Sequence, residues 1–243
     1  MHPSTWLLVT IAIAALLTSC GGSERASLPQ GADPVELDQG DFTTEIDNPY
    51  WPMRPGVRWI YRETGPDGAE QRVVVAVTNE TREVMGIEAR VVHDSVTEGG
   101  ALVEDTFDWY AQDADGNVWY LGEDTKEYED GEVVTTAGSW EAGSDGALPG
   151  VIVPAEPEVG MTYRQEYYAG EAEDAAEVLS LSERAEVPYG SFTDVLLTKD
   201  FTPLEPKVLE YKLYAPGVGP VLTLGVSGGS DREELLQLTT PDG

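Results

Sequence analysis

About a dozen short runs of alternating or β-branched residues, each closed by glycine, proline, asparagine or aspartate, constrain this chain more than any other feature. The runs fall at 57–61, 71–77, 87–96, 102–112, 118–123 and 132–136, and resume at 161–168, 177–187, 192–202, 208–215, 221–226 and 233–238. In the first, Val57, Trp59 and Tyr61 share one face and Arg58, Ile60 and Arg62 the other, a period of two that only a strand satisfies. Residues 171–176 form the one stretch with helix-forming composition, and it is short. Strands joined by tight turns, with no helix to carry crossovers, define an antiparallel all-β fold. A meander curled into a barrel or half-barrel is expected over the alternative, a two-layer β-sandwich, because connections are short and curling protects edges. The Gly/Pro/Ser-rich stretch 138–160 interrupts the series and reads as a long loop.

The N-terminus sets the compartment. Residues 6–17 form an uncharged apolar run, too short to span a bilayer, and end in Leu17-Thr18-Ser19-Cys20. This resembles the lipobox of bacterial lipoprotein signal peptides. The resemblance implies cleavage before Cys20, a diacylglyceryl thioether on its sulfur and a fatty acid such as palmitate on its amino group. Residues 1–5 lack the usual Lys or Arg, which puts Met1 in question as the true start. The implied location is the extracytoplasmic side of a membrane, and Gly21 permits sorting to an outer membrane where the organism has one. The expected division is a signal peptide at 1–19, a lipidated Cys20 leading a disordered acidic tether at 20–47 with a reach of about 30 Å, and one all-β domain at 48–243.

Charge and residue counts exclude several functions. With 45 Asp and Glu against 14 Lys and Arg, the formal charge is −31, and no basic cluster exists to release counterions from nucleic acid. Cys20 is the single cysteine, so the exported domain has neither disulfide nor thiol chemistry. His93 is the one histidine beyond the signal, which removes a histidine-based zinc site and leaves a Ser-His-Asp triad little support. A carboxylate-based hydrolase stays open on composition alone, since acids are abundant and no pair is marked. The expectation is a non-enzymatic protein.

Residues 107–123 carry the most local information. A five-residue loop at 113–117 pairs Gln112 with Val118 and places Phe107, Trp109, Ala111, Trp119 and Leu121 on one apolar face, with Tyr110 and Tyr120 paired on the other. A two-residue turn at Asp115-Gly116 would instead set Asp108 across from Glu123, where like charges repel. In the loop, Asp113, Asp115 and Asn117 stand at alternate positions as at the start of a calcium loop, and Glu123 and Asp124 are the candidate completing ligands. Glycine falls at the fourth position instead of the sixth, so a polar hairpin tip competes with the calcium reading.

The segments Pro55-Gly56-Val57-Arg58-Trp59-Ile60-Tyr61, Pro188-Tyr189-Gly190-Ser191-Phe192 and Tyr214-Ala215-Pro216-Gly217-Val218-Gly219 together resemble a group of uncharacterised exported bacterial all-β proteins, many of them lipoproteins. The resemblance implies the fold and gives no activity. Two functions are compatible with all of this: a membrane-anchored module binding a small apolar or amphipathic ligand inside the curled sheet, or a cell-surface structural protein contacting a cell-envelope component, with calcium as a bridge.

Overall fold

The computed structural model describes residues 27–241; the lipobox residues Leu17, Thr18, Ser19 and Cys20 lie outside them. The strands are β1 (Arg58–Thr64), β2 (Glu70–Val84), β3 (Ile87–Glu98), β4 (Ala101–Gln112), β5 (Val118–Glu129), β6 (Glu132–Thr135), β7 (Trp140–Glu141), β8 (Leu148–Val153), β9 (Thr162–Arg164), β10 (Glu166–Tyr167), β11 (Ala175–Val187), β12 (Gly190–Phe201), β13 (Leu209–Ala215), β14 (Gly219–Ser227) and β15 (Arg232–Thr239). All pairings between them are antiparallel, and they form one curled sheet, not closed into a barrel, ordered β10-β8-β5-β4-β3-β2-β1-β15-β14-β13-β12-β11-β9.

The order explains the curl. β1 to β5 step outward one way and β15 back to β11 the other, so the first and last long strands meet at the centre, with Glu63 opposite Glu233. The two ends of the sheet belong to one segment: β9 adds to β11 and β10, one residue later, adds to β8. At this crossing Gly150 is obligatory, since a Cβ there would lie 2.1 Å from the Gln165 carbonyl oxygen and 2.7 Å from that of Arg164. The buried Arg164 fastens the joint by donating to Pro149 O from Nε (3.1 Å) and Nη2 (2.8 Å), and from Nη1 to Gly31 O and Asp33 O.

Two expectations need correction here. The stretch 138–160 contains β7 and β8, which pair with β5; strands this short leave no periodicity to read. The tether expected through residue 47 is docked from Leu28 onward: Leu28, Val35, Leu37 and Phe42 pack on the core, Phe42 edge-on to Trp119 at 6.1 Å, and Thr43 pairs with Gln112. Irregularly spaced apolar residues anchor this segment. Residues 171–176 form a turn and the start of β11, with no helix.

One end of the curl's interior is filled by aromatic and aliphatic side chains. Trp59, Tyr61, Tyr110, Tyr163, Tyr214, Leu196 and Leu235 are buried there. Trp51 joins the two halves, its ring 5.8 Å from that of Tyr110 and 6.1 Å from that of Tyr214.

Candidate ligand-binding face

Strand alternation decides what the other end of the interior holds. Because successive side chains point to opposite faces, the face carrying Tyr61 also carries Glu63 on β1, and through the registers it carries Asp94 on β3, Glu104, Thr106 and Asp108 on β4, and Glu123 and Thr125 on β5. In the second half it carries Asp200 on β12, Glu210 and Lys212 on β13, Thr223 on β14 and Glu233 on β15. Four carboxylate rungs stand directly opposite one another: Glu63 and Glu233, Glu104 and Glu127, Asp108 and Glu123, and Asp200 and Glu210. Like charges so placed destabilise a sheet, so this face is not built for stability.

The hairpin of β4 and β5 shows how one such rung arises. The five-residue loop forms, with Gln112 opposite Val118, Ala111 opposite Trp119 and Tyr110 stacked on Tyr120 at 4.8 Å. The register then slips by one between Asp108 and Tyr110, so Leu121 and Gly122 together oppose Trp109. Gly122 permits the bulge, at φ +136° with Trp140 O 2.4 Å from where a Cβ would be. The slip sets Asp108 against Glu123 after all, the arrangement that the choice of loop was expected to avoid.

Tyr120 resolves this juxtaposition. Its hydroxyl lies 2.6 Å from Asp108 Oδ1 and also bonds Glu123 Oε2. A phenol has one proton to donate, so holding both carboxyls around it favours a second proton shared between them. Burial, followed by the neighbouring charges, raises the pKa of both. Burial first, then Asp174 and Glu123, push Glu166 up to about 8, against the Trp140 indole N–H that it accepts at 2.8 Å. Glu233 is pushed up to about 7 by burial and Glu63. Asp94 is raised well above the carboxylate range by burial, then by Asp108, Glu233 and Glu104, and its Oδ1 is buried with no hydrogen-bond partner.

The cations are few. Lys212 Nζ lies 3.2 Å from Asp200 Oδ2; burial lowers its proton affinity, and Asp200, Tyr214, Glu210 and Asp174 more than reverse that. Arg90 shares the face but sits about 13 Å further along β3, where Nη1 and Nη2 donate to Glu80 O and Thr44 O.

The structure does not bring the expected calcium ligands together. Both oxygens of Asp113 are engaged, accepting from Asn117 N, Asn117 Nδ2 and Trp119 Nε1 at 2.7–2.8 Å. Asn117 Oδ1 accepts from Ala155 N, and Asp115 is exposed. Glu123 lies with Tyr120 several rungs away, and Asp124 pairs with Lys126 at 2.8 Å. Among the described residues no group of three or more His, Cys, Asp and Glu side chains is arranged to hold a metal ion. His93 points to the opposite face, stacked on Phe107 at 4.5 Å and bonded to Asp105 at 2.6 Å.

No family model matches this chain, and no curated protein does. Among solved structures it is similar to a protein described as exported, with a YmcC-like fold, from Bacteroides fragilis (16% identity, TM-score 0.43, 78% of this chain and 98% of that one). It is similar also to a protein described as a lipoprotein from Parabacteroides distasonis (12% identity, TM-score 0.43, again 78% and 98%).

Proposed function

We propose that this chain is a non-enzymatic binding module, held on the extracytoplasmic side of a membrane by a lipid on Cys20, whose concave face is the binding surface. The observation that carries the reading is the placement of the carboxylate rungs. A fold that spends stability on opposed acids across six strands, beside a packed aromatic end, keeps that face for a ligand. The expected apolar cavity is replaced: the apolar end of the interior is filled by its own side chains, so the ligand chemistry shifts from apolar to polar or amphipathic. Catalysis is disfavoured by the same geometry. His93 faces away, and the Tyr120 hydroxyl occupies the gap between Asp108 and Glu123 where a glycosidic oxygen would have to sit.

Carboxyl footprinting tests the reading. The purified protein is labelled with a carbodiimide and an amine reporter, with and without a panel of hexylammonium, hexanol, hexanoate and chitotriose. Ligand-dependent protection of the half-buried Glu63, Glu104, Glu210 and Glu233, with the exposed Glu88 unchanged, supports it. No protection by any member, or protection confined to the convex face, overturns it. The anchor is tested separately: wild type fractionates with membranes, and Cys20→Ala is released.

A further inference from the structure

Resting on the concave face as the binding surface, we propose that its first half receives the ammonium group of a primary alkylamine, with Asp94 as the anchoring residue. Three observations lead there. Asp94 Oδ1 is buried without a partner. Beyond the Ser95 backbone N–H that its carboxylate accepts, Asp94 has acids for neighbours, so what the site lacks is a donor with charge. The second observation is Lys212. On the other half of the same face the chain supplies its own primary ammonium, 3.2 Å from Asp200, and the carboxylates there have a cation among them. Around Asp94 the facing groups are Tyr61 and Glu63 on β1, Glu104 and Asp108 on β4, and Glu233 on β15, with no ammonium or guanidinium among them. Lys212 is held by Asp200, and Arg90 by backbone carbonyls.

Third, the alternatives fail on geometry. A metal ion needs three or more ligands converging, and among the described residues no such group exists. A quaternary ammonium has no N–H to give Asp94 Oδ1, whereas –NH3+ is compact and carries three donors. Binding trades charge for charge: the ammonium enters as the carboxyls around Asp94 give up protons, so affinity rises with pH over the range where those carboxyls ionise.

The probe is hexylammonium, titrated calorimetrically into the purified protein in two buffers of different ionisation enthalpy, with tetramethylammonium, hexanol and calcium at matched ionic strength. The expected result is saturable binding of hexylammonium alone, with proton release, weakening at least tenfold from pH 8 to pH 5 and at least tenfold in Asp94→Asn. That substitution keeps the side-chain shape and removes a charge from a repulsive cluster, and its melting curve verifies that it folds. Equal responses to hexylammonium and tetramethylammonium, or an Asp94→Asn affinity equal to wild type, overturn the proposal. Binding of hexanol or chitotriose with protection of the concave carboxyls overturns the ammonium assignment and leaves the concave face standing as the binding surface. Failure of every probe removes both.

Discussion

The two halves of the sheet solve the same electrostatic problem in different ways. In β11 to β15 the inward acids surround a lysine, and the Asp200 side chain is further held by the Thr198 hydroxyl at 2.6 Å and Gln165 Nε2 at 3.3 Å. In β1 to β5 Arg90 is turned to backbone carbonyls, and a proton shared through Tyr120, with threonine hydroxyls such as Thr106 and Thr125 at 3.0 Å from each other, stands among the acids where a cation would. A lysine favours the charged form of its neighbours, as Lys212 does at Glu233 and Asp174 against the burial that raises both. A proton fills that place only until something displaces it, so the first half is the one better placed to exchange its proton for a cationic ligand.

The comparison depends first on the halves being held in one curl. Gly150→Ala drives a Cβ into the backbone of residues 164 and 165, which cannot rotate away as a side chain could. A loss of at least about 3 kcal/mol is expected, measured by urea unfolding. A cost below about 1 kcal/mol would mean that the ends of the sheet are not pinned, and the shared concave face would lose its basis.

Next in size is a pair of substitutions with opposite signs. Lys212→Met leaves the buried Asp200 without its cation and should cost about 3 kcal/mol at pH 8. Asp94→Asn, which removes one charge from an unpaired cluster, should stabilise by about 1 kcal/mol under the same conditions. Equal costs in the two would erase the distinction between the halves.

How much of this could be read in the sequence follows from the range of the signal. Strand positions follow from a period of two, and the hairpin yields its rungs from Gln112–Val118 to Tyr110–Tyr120, because both partners lie within one local stretch; beyond the bulge the register differs from the expected one. The bulge has a local sign: Gly122 inside a strand pattern marks a bulge or a close backbone approach, and here it marks both. The acidic face had no local sign. Glu63 and Glu233 are neighbours only once β1 and β15 pair, and 170 residues of chain separate them. The docked segment from Leu28 escaped because its contacts are made by scattered residues and by carbonyls that Arg164 receives, neither of which has a period.

The pH dependence of stability sharpens the comparison further. A carboxyl whose folded pKa is raised binds its proton more tightly in the folded state than in the unfolded one. Its contribution is complete below the unfolded value of about 4 and is lost as pH rises through the folded value. Glu233 at about 7 and Glu166 at about 8 place that loss between about pH 4 and pH 8. The melting temperature should therefore fall by on the order of 5 °C between pH 5 and pH 8.5, with a smaller fall in Asp94→Asn. A melting temperature that climbed with pH would mean that the inward acids are ionised and paired throughout.

The smallest effects separate the concave face from the hairpin tip that the sequence put forward as the calcium loop. If Asp113 and Asp115 were co-ligands, either substitution would abolish the same response, and neither would change stability without calcium. The geometry distinguishes them instead. Asp113 accepts three hydrogen bonds that tie the loop to Asn117 and Trp119, so Asp113→Ala should cost about 2 kcal/mol with or without calcium. Asp115 is exposed at the tip, and Asp115→Ala should fall within about 0.5 kcal/mol of wild type. Thermal melts in chelator and in calcium, with magnesium and sodium chloride at matched ionic strength, read both variants at once. A rise specific to calcium and lost in Asp115→Ala would return the tip to the list of sites. An equal rise with every salt, kept in both variants, would place the response in the screening of like charges along the concave face.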